Sequence, residues 1–166
     1  MNETYRRILG LRAIRHYQDR PLEQEDLDRV LEAARWTGSS KNRQNWAVVV
    51  VSDGDQIERL ATCGDFTKPL RAAPVAVALV EEPETYEFDT GRVAQNIMLA
   101  ADALGMATCP ITFHRDQDAA EVLSVPPGWR CRYAIALGYP AAEARPARFG
   151  GRRPIGELVH RDSFAE

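Results

Sequence analysis

The 166-residue chain has no apolar run approaching the roughly 18 residues that a membrane-spanning helix needs. Its opening, MNETYRRILG, lacks the apolar core of a secretory signal. Both absences point to a cytoplasmic protein with no membrane partner. Cysteine is scarce: Cys63, Cys109 and Cys131 are far apart and form no CxxC. An odd, unclustered set argues against a disulfide framework or a zinc site and reads as free, buried thiols. His16, His114 and His160 are not paired at ligand spacing, so no metal is expected. There is no GxSxG, and no glycine-rich loop stands between a strand and a helix, as a phosphate loop must. Excess positive charge is missing too. The net charge of −3 excludes a general polyanion binder, and nucleic acid is not an expected partner. Internal repeats and low-complexity stretches are absent.

What remains is ordinary globular material, 45% apolar and 27% charged, of a length that suits one domain over 1–166. A first helix is predicted over 3–10. PLEQEDLDRVLEAARW follows, with acids in its first turn and Leu27, Val30, Leu31 and Ala34 on one face, the spacing of an amphipathic helix. The polar loop TGSSKNRQN ends it. WAVVVVS and APVAVALVE read as buried strands on either side of a short helix in DGDQIERLATC. EPETYEFDT reads as a polar connector. GRVAQNIMLAADALGM is a helix apolar on nearly every side, which places it in a core or at a subunit interface. ATCPITF is a short strand or extended loop, RDQDAAEVLSV a helix, and CRYAIALGYP a further buried strand. The basic tail is loop-like, then briefly helical around 155–159. Helices and strands mix without regular βαβ alternation, so the class is α+β.

Nucleophilic catalysis has little support in this pattern, and the carboxylates sit on helix faces expected to be solvated. Three segments stand out together: the basic run GLRAIRHYQDRP, the loop GSSKNRQNW and the late segment RFGGRRP. Each alone reads as solvated surface. Basic segments from opposite ends of a small domain can also converge on one phosphate, because two arginine forks hold a dianion through several charge-assisted bonds.

Taken in order, these blocks resemble the FMN-dependent nitroreductase family across essentially the whole chain. AIRHYQDRPLEQEDLDRVLEAARW is similar to its opening Arg-Arg-Ser-x-Arg motif, x-Pro turn and amphipathic helix. GSSKNRQNW resembles its Pro-Ser-x-x-Asn-x-Gln-Pro-Trp loop at Ser39, Asn42, Gln44 and Trp46. GRVAQNIMLAADALGMAT matches the long central helix at Gln95, Asn96, Ala100, Ala101, Leu104 and Gly105. ALGYP followed by RRPIGELVH is similar to its last strand and phosphate-binding tail.

The resemblance implies a nitroreductase-like fold: a central, mainly antiparallel sheet flanked by helices, in an intertwined homodimer with flavin at the interface. It implies FMN as cofactor and NAD(P)H as electron donor. The implied chemistry is ping-pong transfer to a small-molecule electron acceptor such as a nitroaromatic or a quinone. Flavin would carry the redox step, so no catalytic side chain is required. Arg12, Ala13 and Arg15 would lie beside the phosphate, ribityl chain and pyrimidine edge. Ser39, Ser40, Asn42 and Gln44 would reach the flavin of the partner subunit. Pro110, Ile111 and Thr112 would run along the ring, with the Thr112 backbone N–H facing N5. Arg152 would grip the phosphate, with Arg153 beside it as a further cofactor-binding candidate.

Several family positions differ. Leu11 stands for the first arginine, Ala13 for the serine, Gly38 and Asn45 for the loop prolines, and Gly150 for a basic tail residue. Each lost charge-assisted bond is worth about 1.5–3 kcal/mol. A looser hold on FMN is therefore expected, with Arg12, Arg148 and Arg153 as the cations available to offset it. The segment from Glu81 to Thr90 is short where many relatives carry a helical insertion, which implies a more open flavin face. A flavin- or ligand-binding module without turnover, and a specialised flavin enzyme such as a dehalogenase or biosynthetic oxidase, are the alternatives.

Overall fold

A computed structural model describes residues 2–147 and 151–164. Helix α1 (Glu3–Gly10) starts at Asn2, whose side chain accepts a hydrogen bond from the Tyr5 N–H at 3.2 Å. Helix α2 (Gln24–Arg35) buries Leu27, Val30 and Ala34, while Leu31 is half-buried. Strand β1 (Trp46–Val51), helices α3 (Gly54–Ala61) and α4 (Lys68–Arg71), and strand β2 (Val75–Glu81) come next. Then follow α5 (Glu87–Ala103), β3 (Ala107–Thr112), α6 (Asp116–Val122) and β4 (Arg130–Gly138). Short 3-10 turns occur at Ser40–Asn42 and Ile155–Glu157.

The four strands form one antiparallel sheet in the order β1-β2-β4-β3. Strand period sorts the core into two layers. Val75, Val77, Leu79, Ile135 and Leu137 face α2 and α5. Ala76, Ala78, Val80, Ala134 and Ala136 face α3, α4 and α6, where their small side chains let those helices approach closely. Because both faces of β2 are covered, the strand reads as a continuous apolar run. Pro110 sits in β3, an edge strand, where a missing N–H costs least.

The structure corrects three expectations. The segment 82–90 is not all connector: α5 begins at Glu87, and its acidic first turn suits the positive helix N-terminus. The carboxylates are not all solvated. Glu81 is buried on β2, where it accepts a hydrogen bond from Thr90 Oγ1 at 2.7 Å and one from Arg130 Nε at 2.9 Å. Asp89 is buried beside Arg92. Residues 64–72, given no element from the sequence, contain α4. ATCPITF resolves to a strand, and all three cysteines are buried. Burial pushes the Cys131 thiol up to about 12 and raises those of Cys109 and Cys63.

Candidate functional site

The first basic segment lies along the outer edge of β3. The Ile14 N–H donates to the Thr108 carbonyl at 2.9 Å, and the Gln18 N–H donates to that of Tyr139 at 2.8 Å. Tyr17 bridges to Pro140, and its hydroxyl donates to the Ile14 carbonyl at 2.9 Å. These bonds fix Arg15, the one half-buried arginine of the run, at the rim of a cavity of about 370 Å³. His16, Asp65, Phe66, Lys68, Pro69 and Ala72 complete its lining. Two cationic side chains, a carboxylate and apolar walls thus line one cavity.

Arg12 is placed differently from Arg15. Its Nη1 donates to the carbonyls of Leu9 and Leu11 at 2.8 and 2.7 Å, capping the end of α1 and lying outside that lining. Ala13 is half-buried against the core layer of α3, α4 and α6. Along β3, Pro110 and Thr112 are exposed while Ile111 is buried. The α3–α4 loop sits directly on this strand end: a Cβ on Gly64 would lie 2.7 Å from the Thr112 carbonyl oxygen. Arg115 anchors the loop, donating to Asp65 Oδ1 at 2.8 Å and to the Thr62 carbonyl at 2.7 Å. Its hydrogen bond is the main reason the Asp65 carboxyl lies below its ordinary range, with the Arg115 charge adding to the effect.

Ser39, Ser40, Asn42 and Gln44 lie at the other end of the strand order, just before β1. Ser39 Oγ accepts from the Gln44 N–H at 2.9 Å. Lys41, Asn42 and Gln44 hold φ of 53°, 54° and 53°, a left-handed backbone that costs about 1–3 kcal/mol per residue and clusters at functional sites. Three strand spacings separate β1 from β3, about 14 Å. One chain therefore does not join this loop to the Arg15 cavity. Arg152 and Arg153 are exposed in the C-terminal segment, outside the cavity lining. Arg148 and Gly150 fall outside the described residues. Lys68, Asp65 and Phe66 were missed from sequence. The available signal was FTKPLR, a cation beside a proline that opens a short helix.

The profile of the nitroreductase family matches residues 8–63 and 67–139. The chain belongs to the nitroreductase family. The oxygen-insensitive NADPH nitroreductase of Salmonella typhimurium is 26% identical, over 99% of this chain and 75% of the relative. An FMN reductase [NAD(P)H] of Bacillus subtilis is 26% identical, over 85% of this chain and 67% of the relative. A solved FMN-dependent nitroreductase from Clostridium difficile R20291 superposes with a TM-score of 0.81 at 28% identity, covering 92% of this chain and 95% of the other. The nitroreductase fold is the α+β architecture expected from the sequence. Among the described residues, no helix is long and apolar enough to cross a membrane.

Proposed function

We propose that this nitroreductase-family chain is an FMN-dependent NAD(P)H oxidoreductase that works as a homodimer on small, electron-poor acceptors. The observation that carries this reading is the cavity lined by Arg15 and Lys68, formed in part by the α3–α4 loop whose Gly64 abuts Thr112 at the end of β3. FMN fits such a set, since it needs cations for its negative groups and an apolar floor for its ring. When bound, it supplies the redox chemistry, taking hydride from NAD(P)H and passing electrons to the acceptor.

The protein residues then bind, orient and polarise. Arg15 and Lys68 would sit at the pyrimidine edge, where fixed positive charge stabilises the negative charge of the reduced state. Thr112 would offer its main-chain N–H to the reactive nitrogen, and Pro110 and Ile111 would back the ring. Arg152 and Arg153 would hold the phosphate, with Arg12 free to join them by leaving its helix-end carbonyls.

Ser39, Ser40, Asn42 and Gln44 would come from the second copy. Their position at the opposite sheet edge from the Arg15 cavity supports this, because a two-fold axis turns two separated half-sites into two complete ones. Apolar surface supports it as well. Ile8, Leu9 and Trp36 are exposed beside a groove of about 510 Å³ that α5 lines with Leu99, Ala100 and Ala103. In the C-terminal segment Ile155, Leu158, Val159 and Phe164 are exposed. Exposed apolar side chains gathered in this way suit an association surface.

Absorbance spectroscopy tests the reading. Purified protein supplied with FMN should show flavin bands that bleach on anaerobic addition of NADH or NADPH. The Lys68→Ala variant should bind FMN at least tenfold more weakly, the loss of one charge-assisted bond. A wild-type protein that takes up no FMN overturns the proposal.

A further inference from the structure

We propose that Phe66 is the side chain on which a planar acceptor stacks, making the α3–α4 loop a specificity element. The inference rests on the FMN oxidoreductase reading above. Phe66 is 82% exposed, although its neighbours Gly64, Thr67, Pro69 and Leu70 are buried. Such exposure comes from a held loop and not from a loose one. The Arg115 N–H donates to the Cys63 carbonyl at 2.9 Å, the Asp65 N–H to His114 Nδ1 at 3.2 Å, and Thr67 Oγ1 to the Ala61 carbonyl at 2.6 Å. The His114 ring meets Phe66 at 5.9 Å and 65°, an edge contact that fixes the direction of the phenyl plane. A rigid loop thus projects a large apolar ring into solvent.

Its position gives that ring a use. Phe66 lines the same cavity as Arg15 and Lys68, and Gly64 of its loop abuts Thr112 at the end of β3. Strand register puts Thr112 level with Tyr133, and Tyr133 level with Leu79 near the end of β2. The β2–α5 connector at that end of the sheet, residues 82–86, contains no helix. Phe66 is therefore an exposed aromatic surface on the cavity proposed to hold FMN. A benzene ring carries negative charge on its face, so it prefers electron-poor rings, the class whose reduction the site would serve. His114 acts as a positioning residue, through its contact with Phe66.

The test compares wild type, Phe66→Ala and Phe66→Trp, each loaded with FMN. Calorimetry gives the Kd of p-nitrobenzoate for the oxidised protein. Steady-state kinetics gives the ratio of kcat/KM for menadione, which is planar, to that for ferricyanide, which has no ring to stack. Phe66→Ala should raise the Kd about fivefold and lower the ratio about fivefold, the size of one aromatic contact. Phe66→Trp should bind p-nitrobenzoate at least as tightly as wild type. An unchanged Kd and ratio in Phe66→Ala overturns the proposal. So does an equal loss with both acceptors accompanied by dissociation of the dimer in light scattering, which would assign the ring to a subunit interface. A wild-type protein without FMN uptake fails the parent reading, whereas an FMN-loaded, NAD(P)H-reducible wild type with an indifferent Phe66→Ala fails this inference alone.

Discussion

Gly64 has no room for a side chain. A Cβ there would sit 2.7 Å from the Thr112 carbonyl oxygen and 2.7 Å from Thr67 Cγ2, both inside contact distance. Gly64→Ala must therefore lift the α3–α4 loop off the end of β3. The expected cost is about 2 kcal/mol, typical of overpacking, and urea denaturation would measure it. A variant as stable as wild type would mean that the strand end gives way instead. Position decides the role of the arginines as well. Arg15 and Arg12 look equivalent in the run GLRAIRHYQDRP, yet one lines the cavity and the other caps α1. The run thus supplies one cavity-lining cation and one helix cap.

Between elements, the Asp65–Arg115 pair ties the α3–α4 loop to the start of α6. The Asp65 carboxyl is held below its ordinary range when folded, so the tie stabilises the loop above the unfolded carboxylate pKa of about 3.9 and is lost as pH falls below it. Hydrogen exchange of the loop amides should accelerate, relative to β2 and β4, on acidification through that range. Asp65→Asn should show the faster loop exchange already at neutral pH. The start of α5 is a second junction. There Arg130 reaches both Glu81 and Glu87, so one guanidinium joins β4, β2 and α5. The helix begins there at Glu87, earlier than its apolar stretch suggests. Hydrophobic periodicity reports the packed middle of a helix and is silent about a polar first turn.

Over the whole molecule, the segment 151–164 is exposed along its length while carrying Ile155, Leu158, Val159 and Phe164. An apolar arm without a core of its own is expected to be covered by a second copy. Deleting residues 151–166 should shift the protein from dimer to monomer in light scattering at micromolar concentration. It should also weaken FMN binding at least tenfold through the loss of Arg152 and Arg153. A truncated chain that stays dimeric with full FMN affinity would place the interface and the phosphate grip elsewhere.

Sequence alone determined the elements whose burial has a local period: the amphipathic α2, the apolar strands β1, β2 and β4, and the long α5. It also determined the family, because the loop GSSKNRQNW and the central helix are contiguous motifs. Residue pairs far apart in the chain were decided only by the tertiary structure. Lys68 joins Arg15 in one cavity, Gly64 abuts Thr112, and the Ser39–Gln44 loop stands at the opposite sheet edge from both. The physical reason is that side-chain period encodes which face a residue presents, whereas strand order and register decide which faces meet. The buried Glu81 lay hidden for the same cause: its partners Thr90 and Arg130 belong to two other elements, and only the folded sheet brings them to it.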